Sequence, residues 1–119
     1  MRKRPGSMLN SGDIVEVDLG TPIGSEAGLR RPAVIVTAAG VLRGSPNVVQ
    51  VVPLTRTIRS SGAEVYVEPD EENQLSAPSA AQCQHVRSVS VDRLIATRGM
   101  VGPALLAEIR EVLGLLLDL

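Results

Sequence analysis

Two apolar segments on either side of a stretch broken by glycine and proline constrain this chain most. From Asp13 to Leu19 apolar and acidic residues mostly alternate, with Ile14, Val15, Val17 and Leu19 set against Asp13, Glu16 and Asp18. A period near two is that of a strand with one face in a core. Ala33 to Thr37 is instead nearly all β-branched, which suits a strand covered on both faces. Pro22, Gly24 and Gly28 fall between the two segments. The connection is therefore a loop of about a dozen residues, longer than most and a candidate functional loop.

The same punctuation continues along the chain. Strands are expected from Asn47 to Leu54, Ala63 to Glu68, Ser79 to Gln84, His85 to Val89 and Ala96 to Val101. Between them lie Gly40, Gly44 and Pro46, the polar run from Thr55 to Gly62, and the acidic turn from Pro69 to Asn73. Short strands with frequent turns predict a strongly bent sheet or small barrel. Gly102-Pro103 then opens a helix, with proline at its first position. Leu105, Ile109, Val112, Leu113 and Leu116 recur at three- and four-residue steps and give it an apolar face. Leu106, Leu115 and Leu117 widen that face, which predicts a core helix with a subunit contact as the alternative.

A chain of 119 residues, 44% hydrophobic and 21% charged, supports one core, so residues 12–119 are read as a single domain. Residues 1–11, with Arg2, Lys3 and Arg4 followed by Pro5, Gly6 and Ser7, are read as a flexible arm. The formal net charge of −1 excludes holding nucleic acid by overall charge. An anion site must come from local clustering, and Arg30, Arg31, Arg43, Arg56 and Arg59 do fall in loops. Cys83 is the only cysteine, which excludes an intrachain disulfide and fits a reducing cytosol. No apolar run approaches the roughly 18 residues that span a bilayer, so a cytoplasmic protein without membrane contact is expected. The chain carries no Cys-x-x-Cys, His-Glu-x-x-His, phosphate-loop or Gly-x-Gly-x-x-Gly pattern, and no metal or other cofactor is expected.

Three stretches, in order and with compatible spacing, carry a resemblance. Gly12 to Leu19, with Gly24-Ser25-Glu26 and Arg31-Pro32-Ala33-Val34, is similar to the opening of the MazF/PemK/Kid family of toxin endoribonucleases of type II toxin-antitoxin systems. Val52-Pro53-Leu54-Thr55 resembles the family's strand ending in threonine, and His85 to Val89 with Asp92-Arg93-Leu94 resembles a later strand. The resemblance implies an SH3-like β-barrel with a C-terminal helix, a homodimer, and metal-independent cleavage of single-stranded RNA. It also implies products with a cyclic phosphate and a 5′-hydroxyl, and a cognate antitoxin whose acidic, disordered tail occupies the basic groove.

Carried over residue by residue, the resemblance makes Arg31 and Thr55 the catalytic candidates. A guanidinium fork can stabilise phosphorane charge, its first expected role, with acid catalysis second. A threonine hydroxyl can donate to a phosphate oxygen, though it can also simply bond a local backbone group. Glu26 can act as a base or orient Arg31 by a salt bridge. His85 replaces a glutamine common in the family, and its imidazole can accept a proton or contact RNA. The proton acceptor stays open among Glu26, His85 and solvent. Gln84 stands where one branch has an acidic residue. With Arg30, Arg56, Arg59, Ser60 and Arg87 it completes the expected substrate contacts. Tyr66 is the only aromatic residue, so base stacking is expected to fall to arginine planes or apolar side chains. Two rival readings are a gyrase-poisoning toxin of the same superfold, acting through its helix, and a non-catalytic barrel that binds RNA or protein.

Overall fold

The valine-rich runs become strands, and the order in which they pair decides where the loops meet. The computed structural model describes residues 9–119. Their elements are β1 (Asp13–Asp18), β2 (Arg30–Ile35), α1 (Ala39–Leu42), β3 (Val48–Thr55), β4 (Glu64–Val67), β5 (Ser79–Gln82), β6 (Arg87–Ser90), β7 (Leu94–Met100) and α2 (Pro103–Leu117). The strands form one antiparallel sheet in the order β4-β5-β3-β2-β1-β7, with β6 also on β3. Strand β3 changes partner along its length. Val48 to Val51 pair with β6, and Leu54 and Thr55 pair with β5. The expected fold class, mainly β with a C-terminal helix, is what the chain adopts. The sheet does not close, because β4 and β7 stand at its two ends.

Both faces of the central strands are covered. Ile14, Val34, Val52 and Leu54 join Leu106, Ile109 and Leu113 of α2 in one apolar cluster. Val15, Val17, Ala33, Ile35, Val49 and Val51 point the other way and join Val89, Val91 and Leu94. Burial on both sides is why β2 reads as an unbroken β-branched run and not as an alternation. Ile109 is fully buried, and burying such a side chain contributes about 1.5–3 kcal/mol. Gly102 precedes the helix with Pro103 in its first turn, and Asp118 ends it in the left-handed region at φ 56°. The widened apolar face is split: Leu106 and Leu113 are buried, while Leu115, Leu116 and Leu117 are exposed. No described helix is long and apolar enough to cross a membrane.

Several local expectations are corrected. Residues 1–8 of the expected arm lie outside the described residues. Leu9, however, is buried in a core cluster, and the Ser11 hydroxyl donates to the Thr37 carbonyl, so Leu9 to Ser11 pack on the fold. The turn region around Gly40 contains the four-residue α1, which buries Leu42. His85 is not in a strand. Cys83–His85 form a 3₁₀ turn between β5 and β6, which lets the chain leave one edge segment of β3 and rejoin another.

Candidate active site

Arg31 and Thr55 come together through strand register. Ala33 pairs with Pro53, so two residues further along β2 Arg31 stands opposite Thr55, and opposite residues share a face. That face continues across the sheet, with Thr55 opposite Ala80, Ala80 opposite Tyr66, and Gln82 opposite Glu64. Arg31 Nη1 donates to Oε1 of the buried Gln82 at 3.3 Å, and Nε donates to the Gly28 carbonyl at 3.2 Å. The guanidinium is thus fixed by two acceptors, with Nη2 free of partners among the described residues. Thr55 Oγ1 accepts from the Thr57 amide at 3.1 Å. Such a hydroxyl keeps its own proton to donate.

The long loop is shaped to deliver Arg31. Leu19 and Leu29 clip its ends, with Leu19 N–H donating to the Leu29 carbonyl at 2.9 Å and Leu29 N–H to the Gly20 carbonyl at 2.6 Å. Leu29 adopts φ 63° to make this turn, a strained conformation for a leucine. At Gly28 a Cβ would lie 2.5 Å from Pro22. Only glycine fits where the loop folds on itself and turns its carbonyl to Arg31.

Two clefts bear on the candidate residues, and Arg31 and Thr55 both line the first. The first, about 460 Å³, is lined by Arg30, Arg31, Thr55, Arg56, Glu16 and Arg98, with the segment from Gln74 to Ala77 as its far wall. The second, about 430 Å³, is lined by Leu19, Glu26, Ala27, Gln84, His85 and Arg87. Arg31 does not line this second cleft, although its acceptor Gly28 directly follows Ala27 in the chain. In the first cleft Arg56 Nη2 donates to Ser76 Oγ at 2.6 Å, and Arg98 forms a 2.8 Å ion pair with Glu16. In the second, Arg87 Nη1 donates to the Leu19 carbonyl at 3.3 Å. Glu26 does not pair with Arg31. Its Oε1 accepts from the Ile23 amide at 2.9 Å, leaving Oε2 without a partner among the described residues. Arg59 and Ser60 line neither cleft; their amides donate to Glu64 Oε1, each at 2.9 Å. Next to Gln84, burial pushes the Cys83 thiol up to about 11, so it is no nucleophile near neutral pH. Among the described residues no three His, Cys, Asp or Glu side chains come together to hold a metal ion.

Residues 10–117 match the model of the PemK-like, MazF-like toxin of type II toxin-antitoxin system family. The chain belongs to this family. It is similar to the Mycobacterium tuberculosis protein named Endoribonuclease MazF9, 35% identical over 116 residues that cover 94% of this chain and 98% of that protein. Among solved structures it is similar to MazF from Deinococcus radiodurans, at 26% identity, covering 93% of this chain and 97% of that one, with a TM-score of 0.78. It is also similar to a MazE-MazF structure from the same organism, at 26% identity, covering 93% and 96%, with a TM-score of 0.72. Around its MazF-like strand ends this chain adds groups that sequence reading missed. Gln82 orients Arg31 from β5, and its position opposite Glu64 on β4 is visible only once strands pair. Glu16 and Arg98 carried no signal beyond charge at an outward strand position.

Proposed function

We propose that the chain is the toxin of a type II toxin-antitoxin pair and cuts single-stranded RNA, without a metal, at a phosphate held by Arg31 and Thr55. The observation that carries this reading is the Arg31 guanidinium, fixed by Gln82 and Gly28, with Thr55 at the opposite strand position and both residues lining one cleft. Glu26 Oε2 takes the proton of the ribose 2′-hydroxyl. The 2′-oxygen attacks phosphorus, and Arg31 and Thr55 hold the charge that builds on the non-bridging oxygens. The bond to the 5′-oxygen breaks, that oxygen takes a proton from water, and the products carry a cyclic phosphate and a 5′-hydroxyl. His85, Gln84 and Arg87 contact the nucleotide in the second cleft, and Arg30 and Arg56 contact the one in the first. The exposed Leu115, Leu116, Leu117 and Leu119 supply an apolar surface for a homodimer. An acidic, disordered antitoxin tail occupies the arginine-lined clefts and folds as it binds. The toxin acts in the cytoplasm.

Incubation with long RNA in excess chelator tests the reading. Cleavage with new 5′-hydroxyl ends is expected, and Arg31→Ala or Thr55→Ala should lower the rate by about 100-fold or more while both variants stay folded, with Arg31→Ala losing about 1 kcal/mol of stability because the buried Gln82 acceptor is left unpaired. A requirement for added magnesium, or full activity in both variants, overturns it.

A further inference from the structure

We infer that Tyr66 is a stacking platform for a nucleobase of the RNA, one or two nucleotides from the cut phosphate; the inference rests on the endoribonuclease reading. Tyr66 is the only aromatic side chain in the sequence and is 50% exposed. It lies on the face that carries the catalytic pair. Thr55 stands opposite Ala80, and Ala80 opposite Tyr66, so one small side chain separates ring and hydroxyl. Two strand spacings put them about 9–10 Å apart, a span that one or two nucleotides of extended chain can cover.

The surroundings fit a base and not a phosphate. Tyr66 Oη donates to Glu68 Oε1 at 2.7 Å, which fixes the ring by its edge while half of the residue stays exposed. Glu64 shares the face of Tyr66 in β4, since alternate strand residues point the same way, and Glu68, just beyond the strand, accepts from the Tyr66 hydroxyl. Their charge repels the RNA backbone from the ring and favours the arginine side. An uncharged base can still lie on the ring, and stacking tolerates any base because every base has a π-face. Arginine planes and aliphatic side chains are therefore not the only stacking surfaces here.

The chain has no tryptophan and one tyrosine, so its intrinsic emission reports on Tyr66 alone. The probe is an oligoribonucleotide of a mapped cleavage site with one 2′-deoxy substitution at the cut nucleotide, titrated against wild-type protein while binding is followed by fluorescence anisotropy. Saturable quenching of the tyrosine emission, in step with binding, is expected. On cleavable RNA, Tyr66→Ala should raise KM about tenfold with little change in kcat, and Tyr66→Trp should restore it. Binding that leaves the emission unchanged, or a Tyr66→Ala variant with wild-type KM, overturns the stacking role while the nuclease reading stands. If the wild-type protein cuts no RNA, both fall together.

Discussion

The two clefts are made of different material, and Arg31 and Thr55 line only the first. The first is floored by paired strands, where Glu16 of β1 and Arg98 of β7 satisfy each other at 2.8 Å. The second is formed by the long loop and the 3₁₀ turn, where Glu26 spends one oxygen on the loop's own Ile23 amide. Each cleft therefore holds a carboxylate with one oxygen engaged, but Glu16 is paired with a cation whereas Glu26 is held only by a backbone amide. A neutralised carboxylate on a regular strand serves shape and charge balance; a half-engaged one on a loop is available for proton transfer. The difference teaches that position in the cleft is a weaker guide to chemistry than the partners a group already has.

The sharpest way to break this comparison is to neutralise each carboxylate in turn. Glu26→Gln keeps an oxygen for the Ile23 amide but cannot take a proton. Its kcat should fall about 100-fold or more, with an unchanged melting temperature. Glu16→Gln should change kcat by no more than a few-fold, since a largely exposed cross-strand ion pair is worth only about 0–1 kcal/mol. Equal losses in the two variants would erase the distinction between the clefts.

Much of this was legible before any coordinates. The β-branched runs, the proline-led helix and the family likeness at Arg31, Thr55 and Glu26 are written in local pattern, so strands β1 to β4 and helix α2 could be placed and Arg31 and Thr55 named as the catalytic candidates. What escaped depends on pairing between distant segments or on conformations without a residue code. Gln82 becomes an arginine partner only because β5 lies beside β3. Tyr66 falls within the strand expected from Ala63 to Glu68, but which face of which sheet it joins is set by its register with Ala80. Leu29 adopts its left-handed turn through two backbone clips, and no sequence preference of leucine announces that. Arg59 and Ser60 show how such pairing also fixes a loop: their backbone amides both donate to Glu64, a partner that only the fold brings to them.

A smaller effect tests how firmly Arg31 is held at the first cleft. Gln82→Leu preserves volume and burial but removes the acceptor of Arg31 Nη1. A guanidinium held by Gly28 alone samples more orientations, so kcat should fall about tenfold while KM changes little. Gln82→Glu restores an acceptor and should recover most of the loss. Stability should drop by about 1 kcal/mol in the leucine variant, measured by denaturant titration. A purely structural role would lower stability without moving kcat.

The smallest effect is expected one residue from the second cleft. Gln84 lines that cleft, whereas Cys83 points inward, with Sγ 3.9 Å from the carbonyls of Ala81 and Ile109. Cys83→Ala should leave RNA cleavage unchanged within about twofold, because removing one buried sulfur disturbs packing and not the cleft wall. Burial holds the native thiol's pKa near 11, above its ordinary 9.0. The native state therefore keeps a proton that the unfolded chain releases, and stability should decline as pH rises from 9 toward 11. Denaturant midpoints across that range should show the decline in the wild type and a shallower one in Cys83→Ala. Alkylation by iodoacetamide should follow the same logic, sparing the native protein and labelling it once unfolded. Rapid labelling of the native protein would place the thiol on the cleft side of the turn, and the contrast between Cys83 and Gln84 would be lost.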